Sequence, residues 1–291
     1  MNANQLRSRT EATGGQLLCA FIRVHLRLKG VFGLLLLSIP LPSQWLHYPT
    51  PGMPRIPGGA PDLKAGAPRS PDGKPDLSGI WAPEKNRPCP PEGCDDMEIP
   101  WEFLNIGHSL KSGLPYQPWA AALMKERVAA AGRGDPTSHC LPGSPIRLHT
   151  FPLLRKIVQT PGLLLILNER DGAYRQIFTD GRGLPADPQP SFNGYSTGRW
   201  DGDTLVVDTI GFRDGIWLDR TGSPMTGAAK MTERFRRVNY GRLEIELTVD
   251  DPKAYTAPWT VKIIHLLAPD TELIDYICQE NEKDAPHIAE K

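Results

Sequence analysis

The sequence predicts a mainly β protein, an antiparallel up-and-down β-barrel with one inserted helix. Three observations carry that expectation. From Arg155 onward the chain breaks into short runs of alternating apolar and polar residues separated by turn residues. Most of the separators are hairpin dipeptides, which force neighbouring strands to run antiparallel. Pro (30) and Gly (28) together make about a fifth of the 291 residues, a composition of many turns rather than long helices.

Along the chain, Leu77–Trp81 reads as a first short strand and residues 82–116 as irregular. Gln117–Ala131 is the one clear helix, with Pro118 at its first position and Gly132 as its stop. A Pro-rich connection, Asp135 to Pro152, leads into the strands. Lys156–Thr160 and Leu163–Glu169 meet at Pro161-Gly162, and Tyr174–Thr179 follows Asp171-Gly172. Tyr195–Trp200 and Thr204–Thr209 meet at Asp201-Gly202, and Lys230–Val238 and Arg242–Val249 at Asn239-Tyr240-Gly241. Trp259–Leu267 and Glu272–Gln279 meet at Pro269-Asp270. The second half thus holds nine strands, ten with Leu77–Trp81. A meander of that length either leaves its edges bare or closes, and closure removes the edges.

Period-two alternation assigns the faces of three strands. Leu243, Ile245, Leu247 and Val249 point inward, as do Met231, Glu233, Phe235 and Arg237, and Trp259, Val261, Ile263 and His265. Arg234 and Arg236 then face Glu244 and Glu246 on the outer surface, a cross-strand charge ladder.

The first 45 residues read as a targeting segment: Arg23, Arg27 and Lys29 precede an apolar run, Val31 to Leu37, that is short for a bilayer span. Export to the periplasm or beyond is the expectation, with an uncleaved N-terminal anchor as the alternative and no stable span in the mature chain. Residues 46–76 are a Pro/Gly-rich linker, 77–284 one barrel domain with an irregular and helical insertion at 82–152, and 285–291 a tail. After cleavage four cysteines remain, and the spacing suggests Cys89–Cys94 and Cys140–Cys278 bridges, with a zinc site beside His139 as the competing reading.

Charge is balanced, 33 basic against 33 acidic residues, which argues against nucleic acid or an anionic surface as partner. Asp201-Gly202-Asp203 lacks the rest of a calcium loop, Asp180-Gly181-Arg182-Gly183 opens no helix, and no serine sits in a nucleophile elbow. No cofactor or metal is expected. What stands out is Glu233, Arg237 and His265 on an otherwise apolar inner face. A buried carboxylate beside an imidazole can move protons. Equally, Glu233 can pair with Arg237 two pleats away, or both can sit in water at the barrel mouth.

Leu77-Ser-Gly-Ile-Trp81 resembles the Gly-x-Trp first strand of the lipocalin and calycin barrels. More specifically, Pro71-Asp-Gly-Lys-Pro-Asp-Leu-Ser-Gly-Ile-Trp81, Tyr174-Arg-Gln-Ile-Phe-Thr-Asp-Gly-Arg182, Gly198-Arg-Trp-Asp-Gly-Asp-Thr-Leu-Val-Val207 and Thr232-Glu-Arg-Phe235 are similar to a family of exported bacterial proteins generally without an assigned function. Asp251-Pro252 to Trp259 and Cys278-Gln-Glu-Asn281 extend the resemblance. It implies export and carries no catalytic residues.

The leading functional expectation is a barrel that binds a small, largely apolar molecule, with Phe235, Trp259, Trp200 and Trp81 as walls and Arg237 as a polar handle. The alternatives are a cofactor-independent lyase, cyclase or hydrolase using Glu233 and His265, and a structural or partner-binding envelope protein.

Overall fold

A computed structural model describes residues 48–88 and 98–278. The expected targeting segment, the expected Cys89–Cys94 bridge and the expected tail lie outside the described residues.

Alternating apolar strands need a partner on both edges, and here nine of them satisfy one another in a closed ring. The strands are β1 (Gly79–Pro83), β2 (Arg155–Thr160), β3 (Leu163–Asn168), β4 (Tyr174–Phe178), β5 (Tyr195–Asp201) and β6 (Thr204–Ile210). A two-stranded excursion, β7 (Ile216–Trp217) and β8 (Pro224–Met225), precedes β9 (Lys230–Asn239), β10 (Arg242–Asp250) and β11 (Trp259–Leu267). Around the barrel the order is β1-β11-β10-β9-β6-β5-β4-β3-β2. The hairpins behave as their turn residues dictate. Asp171 and Gly172, for example, take φ of 56° and 58°, the left-handed pair of a tight two-residue turn.

The barrel is mixed rather than antiparallel throughout. β4 and β5 run parallel, with Ile177 beside Ser196 and Phe178 beside Thr197. Two features make this necessary. The 179–194 connection is a long loop rather than a hairpin, so it can return β5 in the same direction as β4. And strands that alternate up and down cannot close a ring of odd number without one parallel pair. A tenth strand would have removed that need, but the described part of the expected Glu272–Gln279 strand, Glu272–Cys278, does not form one. The edge of β11 that it would have taken belongs to β1, through Trp81–Leu267 and Pro83–His265 pairing. The 270s instead bond outside the barrel: Asp171 N donates to Tyr276 O at 2.7 Å and Cys278 N to Asp171 Oδ1 at 2.9 Å.

Cys140 and Cys278 form a disulfide across 138 residues of sequence. It ties this C-terminal stretch to the turn Pro136–His139. Closing so long a loop restricts the unfolded chain, so the Cys140→Ser/Cys278→Ser variant should lose about 2–5 kcal/mol in urea unfolding. Equal stability of oxidised wild type and variant would refute that contribution.

The Pro/Gly-rich segment is patterned. Pro-Arg-x-Pro-x-Gly-x-Pro-Asp-Leu occurs at 54–63 and again at 68–77. Each copy folds into the same small turn: Asp62 N donates to Pro54 O and Asp76 N to Pro68 O, both at 2.8 Å. Arg55 and Arg69 brace their own turns, on Gly59 O and Gly73 O, and pair with Asp270 and Asp203 on the barrel.

Within 82–152 lie α1 (Trp101–Leu104), α2 (Pro118–Ala129) and α3 (Pro145–Thr150). All six residues of α3 are buried. Its start is written in Ser144-Pro145: Ser144 caps, accepting from Arg147 N at 3.3 Å, and Pro145 opens the helix. Among the described residues no helix is long and apolar enough to cross a membrane.

Candidate functional site

The inner face is apolar at both ends and polar between. On β9, Met231 belongs to one apolar cluster and Phe235 to the other, with Glu233 separating them. β11 repeats the pattern, with Ile263, then His265, then Leu267. The alternation that builds the strands therefore places Glu233 and His265 in a belt between two cores, both fully buried.

Five other elements complete the belt. α3 supplies His149, β2 Arg155, β4 Arg175, and β5 and β6 supply Ser196 and Thr209. Arg175 grips Glu233 with two guanidinium nitrogens, Nη1 at 3.0 Å and Nη2 in a shorter contact. It also donates to Ser196 Oγ and Thr209 Oγ1. His149 Nε2 meets Glu233 Oε1 at 2.7 Å, and His149 Nδ1 meets Arg155 Nη1 at 2.9 Å. Arginine can only donate, so Nδ1 is the acceptor and the proton sits on Nε2, donated to Glu233. His265 Nε2 donates to the carbonyl of His149 at 3.0 Å. Because β4, β9 and β2 are not neighbours in the ring, this chain of contacts crosses the barrel lumen.

Burial sets the protonation states. It pushes the His149 imidazole down to about 4, further than the Glu233 carboxylate can hold it up. Burial also drives His265 well below its ordinary value, with Arg155 adding to the effect. For Glu233 burial acts upward, but the Arg175 guanidinium and the His149 hydrogen bond outweigh it and hold the carboxyl down to about 2. The belt thus contains an ionised carboxylate, two neutral imidazoles and two guanidinium groups. Both His149 nitrogens and both Glu233 oxygens are committed inside it, so its chemistry is that of a cross-brace.

The residues singled out from sequence are distributed unevenly over this frame. Glu233 and His265 share one network, joined through His149 rather than directly. Glu233 pairs with Arg175 and His149, not with Arg237. Arg237 lies beyond Phe235, donating to the carbonyls of Asp76, Ser78 and Tyr240 while stacked on Trp81 at 4.9 Å. Trp81 and Phe235 are core beside it, with Trp200 partly buried against them, whereas Trp259 belongs to the opposite cluster. The outer charge ladder keeps its register, but Arg234 pairs with Asp201, and Glu244 with Arg242 and Lys262.

Sequence reasoning misses His149, Arg155 and Arg175, and with them Ser196 and Thr209. Arg155 shares a face with Ile157, and Arg175 with Ile177, so period-two alternation points to both. For His149 the available signal was the Ser144-Pro145 helix start. Among the described residues no His, Cys, Asp and Glu cluster forms a metal site.

A cleft of about 680 Å³ opens beyond the end of β6 and the start of β9. Ala186–Pro188 with Pro190, Ile210–Asp214 and Gly227–Lys230 form its walls. Phe212, buried, makes part of its lining. Gly211 lets two walls close: at its φ of 76° a Cβ would lie 2.5 Å from Pro188 Cγ. Asp214 Oδ1 accepts from Gly227 N at 2.8 Å and ties the middle wall to the third. Arg213 stacks on Phe192 at 4.6 Å.

Compared with known proteins, the chain matches no family model and no curated protein.

Proposed function

We propose that the protein is an exported barrel that binds a small, largely apolar molecule, and that it does so in the cleft outside the lumen. The observation that carries this reading is the contrast between the two spaces. The cross-brace occupies the lumen at the level of Glu233, whereas the cleft's roughly 680 Å³ falls within the size range typical of small-molecule sites, about 300–1,000 Å³. Pro188, Ile210, Phe212 and Ala229 offer apolar walls, and Arg213 and Lys230 offer polar edges. Neither cation is in an ion pair among the described residues. Export is supported by the Cys140–Cys278 disulfide, by the apolar N-terminal run, and by the likeness to exported bacterial proteins.

The test is a fragment library of flat, weakly polar compounds screened by saturation-transfer NMR against wild type and Ala228→Trp. The tryptophan fills the cleft while leaving the barrel strands untouched. Binders should lose at least about tenfold in affinity in the variant, with thermal stability preserved. Fragments that bind both proteins equally, or none that bind wild type, would overturn the proposal.

A further inference from the structure

Five arginines are buried among the described residues, and the charge of four is offset by a carboxylate or by several carbonyls, although Arg147 Nε and Nη1 and Arg170 Nε also lack a hydrogen-bond partner. Arg147 pairs with Asp135 at 2.7 Å, Arg175 with Glu233, and Arg170 with Asp171 at 3.3 Å. Arg237 has no carboxylate in contact but donates four hydrogen bonds to three carbonyls. Arg155 is the exception. It is 1 % exposed, makes no ion pair, and has only the neutral His149 Nδ1 and a long contact of 3.5 Å to Phe151 O.

The imbalance is of charge as well as hydrogen bonding. Within the belt, Arg175 and Glu233 cancel, and the two imidazoles are neutral. One positive charge is left in the lumen. A buried guanidinium with no opposing charge is costly. Burial alone drives Arg155 down to about 9, with no carboxylate holding it up. Two polar atoms of the belt also lack a partner: Arg155 Nε and His265 Nδ1. Both residues touch His149, Arg155 through its ring and His265 through its carbonyl, so the unmatched donor and acceptor flank the same helix residue.

We propose that the barrel lumen is a binding site for a small monovalent anion, held by the Nε–H of Arg155 beside His265. The chemistry required is one negative charge and an acceptor for Nε–H. An anion that also carries a hydroxyl, such as bicarbonate, can in addition donate to the free Nδ1 lone pair of His265. This site lies in the lumen and is independent of the cleft.

The experiment compares thermal unfolding of the full chain at constant ionic strength as sodium gluconate, a bulky organic anion, is replaced by sodium bromide or sodium bicarbonate. For a dissociation constant of about 1 mM, 100 mM anion should raise the folding equilibrium constant about 100-fold. Arg155→Gln should abolish the response while keeping a side-chain donor near His149. If that variant does not fold, crystals of wild type grown in bromide decide: an anomalous peak within hydrogen-bonding distance of Arg155 Nε supports the site. Equal stability in all three salts together with no anomalous peak in the lumen would overturn it. The same would follow from an undiminished anion response in a folded Arg155→Gln protein.

Discussion

Glu233→Gln is expected to destabilise the barrel by about 3–5 kcal/mol, the cost of removing one partner from a buried ion pair. The geometry explains why the value should be high. Glu233 is fully buried, accepts two bonds from Arg175 and one from His149, and is the only carboxylate in the belt. An amide presents one oxygen instead of two and carries no charge. Arg175 would keep its charge with only Ser196 and Thr209 as neutral acceptors. Urea unfolding of the wild type and the variant at neutral pH measures the loss directly. Replacing both ends in Glu233→Gln/Arg175→Met removes the orphaned charge, so the double variant should recover part of the stability. A loss under about 1 kcal/mol for the single change would show that Arg175 finds other company, and the belt would then not be the brace described above.

How much of this was legible in the sequence follows from the physics of each signal. Alternation reports faces reliably when long strands are flanked by tight turns, so Glu233, Arg237 and His265 were placed inward correctly. It says nothing about which strands face each other across a lumen, so Glu233's nearest sequence neighbour of opposite charge, Arg237, looked like its partner. The true partner, Arg175, lies 58 residues away on a strand that is not adjacent in the ring. His149 was hidden for another reason. α3 has six residues, fewer than periodicity needs, and it gains its stability from burial against the barrel rather than from its own propensity. The parallel β4–β5 pair has no signal in the sequence, because residues 272–279 read as a further strand that would make the ring even. Those residues carry strand-forming side chains, but Ile274 and Ile277 are 41 % and 50 % exposed, and the edge they would need is already filled. The cleft had no signature at all, since loops meeting in space leave none in local pattern.

Acid is expected to weaken the protein from about pH 6.5 downward, well before ordinary carboxylates titrate. His149 titrates near 4 in the folded chain against an ordinary 6.5, and His265 is likewise depressed. A group whose folded value is lowered binds fewer protons in the native state, so its contribution is fully present above 6.5 and is lost as pH falls. Each such imidazole adds a slope of about 1.4 kcal/mol per pH unit, and His149 alone accounts for about 3 kcal/mol by pH 4. Glu233 acts in the next window. Its carboxyl is held down to about 2 against an ordinary 4.5, so its contribution is intact above 4.5 and disappears toward pH 2. Urea unfolding at pH 7.5, 6.5, 5.5 and 4.5 should therefore give a flat segment and then a fall, with proton uptake on unfolding approaching two. The physical cause is shared with the first prediction: protonating His149 would place a third cation beside Arg155 and Arg175, opposite one carboxylate. A stability curve that stays flat down to pH 4.5 would mean that the imidazoles accept protons inside the folded barrel. That result would contradict both the neutral His149 and the buried belt it is built into.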